Sequence, residues 1–294
     1  MSNISHIENE LWKSADSLRA MSNLWLQQFA EPVLGVIFLK FADMRFQEVD
    51  KELKAEQEKN AWPRWPRPLS KADYLAKGVV YLTEEAQYQY LLDLPESVNL
   101  WEALNDAMKL IEEHNPSLSG ILSKSFHKLS KNINDNNQII QWLLKTFNSK
   151  KMNSLEWDVF GNIYEYFLGK FALADGQWSG EFFTPRSLVK LIIGIIEPFH
   201  WTIYDPACGS WWMFVQSLEY IKKHQDKTLT EATKDIAVYG QEKNETTVKI
   251  AKLSLAINGL DSSHIKEWNS FTADHHQALG KFDYVMANPP FNVK

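Results

Sequence analysis

The chain has 294 residues, of which 45% are hydrophobic, and a formal net charge of −6 at pH 7. This length predicts one large domain or two medium-sized ones. The acidic balance argues against tight DNA binding by this chain alone, because such proteins usually carry a basic surface. We find no apolar run of roughly 18 residues and no signal-peptide pattern. The single Cys208 excludes an intrachain disulfide and indicates the reducing cytoplasm.

The first half of the chain is predicted to be helical. Ser5 and Glu8 have the spacing of a capping box at a helix start. A second helix is expected from about Val33, fading in the charged stretch 51–60, and the proline-rich run 61–70 predicts a loop. Further helical patterns cover 84–92, 98–113, 136–148 and 155–172. The aromatic stripe of the last one (Trp157, Phe160, Tyr164 and Phe167) is interpreted as core packing.

The second half alternates short β-rich runs with helices. The runs are TIYDPACGS, IAVYGQE and FDYVMANPP, and helices are expected at 184–199, 211–223 and 244–258. Thr184-Pro185 and Asn244 are predicted helix starts, and Gly259 a helix end. The alternation predicts the α/β class with a doubly wound parallel sheet. We therefore expect a helical domain over 1–150 and a sheet domain over 151–294.

Two features indicate a nucleotide-like cofactor. The turn Asp205-Pro206-Ala207-Cys208-Gly209-Ser210 joins a strand to a helix, the place where doubly wound sheets bind such ligands. Its small residues let backbone N–H groups approach a ligand, and the helix N-terminus favours a carboxylate. Glu242 ends the next strand, where a carboxylate can accept both hydroxyls of a ribose. If each feature is taken alone, the alternative for the turn is a purely structural βα connection, and the alternative for Glu242 is an ordinary surface residue.

The tetrapeptide Asn288-Pro289-Pro290-Phe291 follows the strand FDYVMA and indicates chemistry on a planar amine. The exocyclic nitrogen of adenine is a weak nucleophile because its lone pair is delocalised into the ring. The Asn288 side-chain oxygen and the Pro289 carbonyl can accept its two hydrogens, so that the lone pair points outward. Phe291 can stack on a base flipped out of the duplex. A turn that merely ends the strand is the alternative.

The order of these motifs resembles that of the amino-methylating DNA methyltransferases. The blocks GEFFTPRSLVKLI, IYDPACGS and KFDYVMANPPFN, together with the helical first half, are similar to the modification subunits of type I restriction–modification systems. The resemblance covers nearly the whole chain. It implies a Rossmann-like methyltransferase domain that transfers a methyl group from S-adenosylmethionine to N6 of adenine in DNA.

The resemblance also implies partners and site residues. The partners would be DNA, a specificity subunit that reads the sequence, a second modification subunit and a restriction subunit. A separate reader of the bases would account for the acidic charge. The catalytic residues would be Asn288, Pro289, Pro290 and Phe291. The cofactor site would comprise Glu181, Phe182, Phe183, Thr184, Pro185, Arg186, Asp205, Ala207, Gly209, Ser210, Trp211, Trp212, Glu242 and Asn269, with no metal.

Two features depart from the family pattern. Glycine makes up 12 of 294 residues, about 4% against an average near 7%, while tryptophan also numbers 12. Indoles occupy positions where glycine is easier to understand, and one glycine codon differs from the tryptophan codon by a single base. The chain also stops at Lys294, so we expect a sheet truncated after its fourth strand and a fragment inactive alone. The positions concerned are Trp178, Trp201, Trp211, Trp212 and Trp268.

Other functions remain open. Methyltransferases acting on cytosine N4 or on protein glutamine share Asn-Pro-Pro-aromatic loops, because they too methylate a planar amino group. Cytosine C5 chemistry is disfavoured, since it needs a nucleophilic cysteine in the catalytic loop. Cys208 lies in the cofactor turn, where we expect it to pack as a small apolar residue. A non-catalytic assembly piece is the alternative from another class of protein.

Overall fold

The chain divides into two units, Met1–Phe171 and Ala172–Lys294, in its computed structural model. The first unit is helical and the second alternates strands with helices, which confirms the predicted fold class. The domain boundary near residue 150 stays a prediction. Among the described residues, no helix has both the length and the apolar character needed to cross a bilayer. The structure describes residues 3–22, 26–60, 67–127, 137–153, 155, 161–171, 184, 186–199, 201–209, 211–225 and 232–289.

The α-helices of the first unit lie close to the predicted segments. The predicted helix 84–92 is divided into a 3₁₀ turn, Glu84–Ala86, and a short α-helix; a second 3₁₀ turn is Pro116–Leu118. The α-helices are α1 Asn3–Ser22, α2 Leu26–Asn60, α3 Lys71–Ala76, α4 Tyr88–Leu92, α5 Leu100–His114, α6 Gln138–Phe147, α7 Lys150–Asn153 and α8 161–171.

The predicted start of α1 is wrong. The helix begins at Asn3, so that Ser5 lies inside its first turn instead of capping it. Serine is tolerated inside a helix, and the Ser-x-x-Glu spacing alone therefore does not fix the start. A capping arrangement forms instead at α3. There the Asp73 carboxylate accepts hydrogen bonds from the Ser70 backbone N–H and hydroxyl, both at 2.8 Å.

The second helix is longer than predicted at both ends. It begins at Leu26, contains Pro32, and continues through the charged stretch to Asn60. A proline inside a helix removes one hydrogen bond and crowds the preceding turn. Val33, Val36 and Ile37 are fully buried directly after it, and this packing outweighs the loss.

A buried polar cluster joins α2 to α4 and to the end of α6. Lys40 Nζ donates to Asn148 Oδ1 at 2.8 Å, and Asp43 accepts from the Tyr88 backbone N–H at 3.1 Å. The Tyr88 hydroxyl donates to the Leu144 carbonyl at 3.0 Å. Burial lowers the pKa of Lys40 and raises the pKa of Asp43. These bonds fix the register in which the three helices pack.

The second unit is built on a four-stranded parallel sheet with strand order β3-β2-β1-β4. Ile203 pairs with Val238 on one side of β1 and with Tyr284 on the other. The three predicted β-rich runs form β1, β2 and β4, and the helices lie close to the predicted segments, whereas β3 was not among the predicted runs. They are α9 Arg186–Ile196, β1 Trp201–Asp205, α10 Trp212–His224, β2 Ile236–Glu242, α11 Glu245–Ile257, β3 Ile265–Glu267 and β4 Tyr284–Val285.

The predicted ends of α11 are confirmed. The Asn244 side chain accepts from the Thr247 backbone N–H at 3.1 Å, as an N-cap does. Gly259 has a φ of 72°, the left-handed conformation that ends helices. The helix α9 is described from Arg186, and its predicted start at Thr184-Pro185 stays a prediction because Pro185 lies outside the described part.

The aromatic stripe of α8 packs into the core where the structure describes it. Tyr164 and Phe167 are fully buried, whereas Trp157 and Phe160 lie outside the described residues. The Tyr164 hydroxyl has no hydrogen-bond partner among the described residues. Burying a hydroxyl without a partner costs free energy, so this group opposes folding.

Removing either of two buried hydroxyls should therefore have opposite effects. We expect Tyr164→Phe to leave the free energy of unfolding unchanged or to raise it by up to about 1 kcal/mol. Tyr88→Phe deletes the same atom from an equally buried ring, but its bond to Leu144 is lost, so we expect a decrease of about 1 kcal/mol. Urea unfolding of both variants measures the difference. A decrease for Tyr164→Phe as large as that for Tyr88→Phe would contradict this account.

Candidate cofactor and catalytic site

The site lies at the carboxyl ends of β1 and β4. The chain runs from β1 to β2 and β3 on one side, while β4 pairs with β1 on the other. Such a reversal of strand order opens a crevice at the strand ends, where α/β proteins bind ligands. Asp205 ends β1, and the Met286 backbone N–H donates to the Tyr204 carbonyl at 3.0 Å. Asn288 therefore follows β4 beside the turn that begins at Asp205.

An acidic pair lies at the ends of β1 and β2. Asp205 is 3% exposed, and its Oδ1 accepts from the Ala207 backbone N–H at 2.8 Å. Burial raises the pKa of Asp205 to about 7; the Ala207 bond opposes this rise, and the nearby Glu242 carboxylate adds to it. Glu242 is half-buried, and its Oε1 accepts from the Asn244 backbone N–H at 2.9 Å. A ligand with a cationic group would favour the ionised form of both carboxyls, so the pair suits such a ligand.

Two glycines let the turn after Asp205, which joins β1 to α10, approach β2 closely. A Cβ at Gly209 would lie 2.9 Å from Glu242 Oε2, and a Cβ at Gly240 would lie 2.6 Å from Cys208 Sγ. Cys208 is buried, as predicted, and burial raises the pKa of its thiol well above the ordinary range. Gly240 was not among the predicted site residues. A glycine inside a strand is the signal that could have revealed this close approach.

Gln241 is a second residue of this site that the sequence motifs did not indicate. It is fully buried, and its carbonyl accepts from the Cys208 backbone N–H at 3.0 Å. Its side-chain Nε2 donates to Ser270 Oγ at 2.9 Å and to the Ala273 carbonyl at 3.0 Å, while Oε1 accepts from the His275 N–H at 2.7 Å. Gln241 thus fixes both the turn after β1 and the loop after β3. A polar residue within an apolar strand was the available signal.

Asn269 lies in the segment that Gln241 holds. The Trp268 backbone N–H donates to the Glu242 carbonyl at 2.8 Å, and Ser270 Oγ donates to the Pro206 carbonyl at 2.5 Å. These bonds bring residue 269 beside both predicted cofactor blocks. The Asn269 side-chain Oδ1, however, accepts from the Phe271 N–H at 3.0 Å and so stabilises its own turn. Its predicted contact with an adenine ring stays a prediction.

The structure brings Thr184 and Asn288 together. Asn288 Nδ2 donates to Thr184 Oγ1 at 2.8 Å, and Thr184 is 3% exposed. Pro289 is exposed next to them. Of the other predicted residues, the described part includes the backbone but not the side chains of Arg186 and Trp212. It excludes Glu181, Phe182, Phe183, Pro185, Ser210, Pro290 and Phe291.

Trp211 has the backbone of a glycine. Its φ is 40° and its side chain is 5% exposed, and it precedes the first residue of α10. Left-handed backbone costs an L-residue roughly 1–2 kcal/mol and glycine nothing. Trp268 does not have a positive φ. It is 48% exposed, and its ring contacts the His275 ring. Trp178 and the side chain of Trp201 lie outside the described part.

Comparisons with known proteins define the class of protein and then the family. A family model described as "N-6 DNA Methylase" matches residues 155–294, and one described as "HsdM N-terminal domain" matches residues 7–147. The second half is thus an N-6 DNA methylase domain. With both domains present in this order, the chain belongs to the family of methylase (modification) subunits of type I restriction–modification systems.

Individual relatives agree with this assignment. The chain is 34% identical over 294 residues to the type I restriction enzyme MjaIX methylase subunit of Methanocaldococcus jannaschii, across 97% of this chain and 51% of that protein. It is 37% identical over 197 residues to the HindI methylase subunit of Haemophilus influenzae, across 65% of this chain and 43% of that protein. The chain spans about half the length of these curated relatives.

Solved structures share the fold. The methyltransferase subunit of a type I system from Streptococcus thermophilus matches with a TM-score of 0.75 at 22% identity, across 99% of this chain and 64% of that one. A modification subunit from Vibrio vulnificus matches with a TM-score of 0.55 at 18% identity, across 99% of this chain and 61% of that one. At these identities the matches support the architecture alone.

The left-handed backbone at residue 211 can be tested by paired substitutions. Trp211→Gly and Trp211→Ala both remove the indole, so the cost of the lost packing cancels between them. We expect the glycine variant to be more stable by about 1 kcal/mol, because only alanine retains the left-handed strain. At Trp268 the order should reverse, since glycine is normally the less stable residue. Urea unfolding measures both pairs, and an alanine advantage at 211 would exclude the left-handed backbone.

The pKa of Asp205 makes stability depend on pH. An aspartate in an unfolded chain has an ordinary pKa near 3.8, whereas burial raises the pKa of Asp205 to about 7 in the folded chain. The folded state therefore prefers the protonated acid, and this contribution is lost as pH rises from about 4 to about 7. Asparagine resembles the protonated acid but does not titrate.

We therefore expect the wild type to lose stability relative to Asp205→Asn across that interval, with a constant difference above it. Denaturant unfolding of both proteins between about pH 4 and pH 9 measures this difference. A difference that grows in favour of the wild type as pH rises would mean that Asp205 is held ionised.

Proposed function

We propose that this chain carries the methyl-transfer site of a type I modification subunit, which transfers a methyl group from S-adenosylmethionine to N6 of adenine in DNA. The observation that carries the proposal is the arrangement at the sheet's switch point. The Asp205–Glu242 acid pair lies at the ends of β1 and β2, and Asn288 follows β4 beside them. Membership in the family supports the reaction class.

The residues at the turn fit the proposed cofactor. S-adenosylmethionine has an α-ammonium group, a sulfonium centre and a ribose with two hydroxyls, and the acid pair suits these groups. Glu242 is proposed to accept the ribose hydroxyls and Asp205 to stabilise positive charge. A Cβ at Gly209 would lie 2.9 Å from Glu242 Oε2, so glycine keeps this approach open. When bound, the cofactor supplies an electrophilic methyl group on a sulfonium centre.

The catalytic loop is proposed to prepare the nucleophile. The Asn288 side-chain oxygen and the Pro289 carbonyl accept the two hydrogens of the adenine amine, and the lone pair then points at the methyl group. Two prolines in succession stiffen the loop and so reduce the entropy lost in the transition state. Phe291 is proposed to stack on the flipped base. The methylated amine is acidic enough to release its extra proton to solvent.

The remaining cofactor residues and the partners follow the family. Thr184 and the residues around it, with Trp211, Trp212 and Asn269, are proposed to border the cofactor. We infer that the indoles at 211 and 212 lower its affinity, because they replace side chains that leave room for a ligand. DNA, a specificity subunit, a restriction subunit and a second modification subunit are the proposed partners. The cytoplasm is the proposed location.

Two substitutions should separate cofactor binding from methyl transfer. Asn288→Ala should abolish transfer while leaving cofactor affinity nearly intact, because Asn288 contacts the amine that reacts. Glu242→Ala should weaken cofactor binding first, since its proposed partners are ribose hydroxyls. Single-turnover transfer of labelled methyl groups, beside calorimetric titration with S-adenosylmethionine, measures both effects in the full-length protein with its partners.

One outcome would contradict the proposed separation of cofactor binding from methyl transfer. A loss of cofactor affinity in a folded Asn288→Ala protein as large as that in Glu242→Ala would show that the two sites are not separate. Lys249→Ala is a matched control, because Lys249 pairs with Glu245 on the exposed face of α11. This control should change neither measurement.

A further inference from the structure

The loop that contains Asn288 follows a very short strand. β4 is two residues long, Tyr284–Val285, and pairs with β1 at the edge of the described sheet. Tyr284 is half-buried and Val285 is 60% exposed, so side-chain burial specifies the register of this strand only weakly. The position of Asn288 therefore depends on what else fixes β4 against β1.

A clamp between Asp283 and Thr202 lies at the amino end of β4. Asp283 Oδ2 accepts from the Thr202 hydroxyl at 2.6 Å and from the Thr202 backbone N–H at 2.9 Å. The hydroxyl bond first, and the N–H bond next, lower the pKa of Asp283, so the carboxylate stays ionised and only accepts. The Thr202 hydroxyl therefore donates its proton to Oδ2, and its oxygen accepts from the Asp283 backbone N–H at 3.2 Å.

The clamp can form in one register only. The ladder pairs Ile203 with Tyr284, so Asp283 lies opposite Thr202 in the same register. A slip by one residue would place Asp283 opposite a neighbour of Thr202, and neither neighbour has a hydroxyl. Such a slip would also turn the chain that leads to Asn288 toward the opposite face of the sheet and shift it by roughly 3.3 Å.

We propose that Asp283 is a positioning residue for methyl transfer, which clamps β4 to Thr202 and so sets the place of Asn288. This inference rests on the proposed function, because it assigns Asp283 to the placement of the loop that prepares the nucleophile. Asp283 contacts neither substrate nor cofactor in this role. Asp205 and Glu242 end β1 and β2, whose pairing does not involve β4, so the acid pair should keep its place when the clamp is lost.

Asp283→Ala removes the clamp, and Asp283→Asn keeps an oxygen that can accept both Thr202 bonds. In the full-length protein with its partners, we expect alanine to slow single-turnover methyl transfer about tenfold, because the paired state of β4 loses hydrogen bonds. Affinity for S-adenosylmethionine should change less than about threefold. Asparagine should restore most of the rate, although a neutral acceptor binds more weakly.

Three results would overturn the proposal. They are an alanine variant with the wild-type rate, an alanine variant whose loss is confined to cofactor affinity, and an asparagine variant as slow as the alanine variant. The last result would mean that the charge of Asp283, rather than its bonds to Thr202, matters for transfer.

Asp261 offers a matched control. It is an exposed aspartate that accepts from the Ser263 backbone N–H at 2.9 Å and from the Ser263 hydroxyl at 3.0 Å, the same two kinds of donor, within its own turn. Asp261→Ala should therefore change neither the transfer rate nor the cofactor affinity. A loss as large as that in Asp283→Ala would mean that any such change lowers general stability, and would overturn the proposal.

Amide hydrogen exchange gives a readout that needs no methyl transfer. The Met286 N–H, bonded to the Tyr204 carbonyl at 3.0 Å, reports the opening of β4. It should exchange about tenfold faster in Asp283→Ala and near the wild-type rate in Asp283→Asn. The Gly240 N–H, bonded to the His264 carbonyl at 3.2 Å, should be unchanged, because it joins β2 to the segment before β3, away from β4.

Equal acceleration at both amides, or none at Met286, would overturn the assignment of Asp283. A full-length wild type that transfers no methyl group would overturn the proposed function instead, and exchange at Met286 would still decide whether Asp283 clamps β4.

Discussion

The site depends on the close approach of the turn after β1 to the backbone of β2 at Gly240. A Cβ at this position would lie 2.6 Å from Cys208 Sγ and 3.0 Å from Ile265 Cδ1, so a larger residue would push the turn away. The bond from the Cys208 N–H to the Gln241 carbonyl, at 3.0 Å, fixes that distance. Asp205 and Gly209 flank Cys208, so the same contact brings both toward Glu242.

The electrostatics of the site follow from this approach. Burial disfavours the ionised form of Asp205 and raises its pKa to about 7, and the nearby Glu242 carboxylate adds to this rise. A cationic ligand would favour the ionised form of Asp205, so its binding would lower this pKa. The fold thus places a carboxyl whose ionisation is unfavourable at the point where the proposed cofactor has positive charge. Perturbed carboxyl groups of this kind are typical of functional sites.

Much of the architecture could be predicted from local patterns. The parallel sheet, the acid at the end of β2 and the ends of α11 were predicted because each depends on a few adjacent residues. The ends of α2 were not. The burial of Val33 and its neighbours compensates for Pro32 inside the helix, and the mostly exposed stretch 51–60 continues the helix through residues of high helix propensity. The counts of glycine and tryptophan pointed to exchanged positions, and Trp211 has the backbone that this exchange implies.

Long-range contacts account for the rest. Gln241 acts through the loop after β3, and nothing adjacent to it in the sequence indicates those partners. Thr184 was interpreted as a helix cap because a threonine before a proline has that local pattern. Its bond to Asn288 joins residues 104 positions apart, which no local pattern can reveal. The predicted functions of the other motif residues stay predictions.

Identification of the methylated nucleoside tests the central claim most directly. DNA modified by the full-length protein with its partners and labelled S-adenosylmethionine would be digested and analysed by mass spectrometry, beside a protein digest of the same reaction. The account predicts label in N6-methyladenine, and its absence when Asn288 is replaced by alanine. Label in N4-methylcytosine or in methylated glutamine would contradict the assignment of the Asn288 loop to adenine.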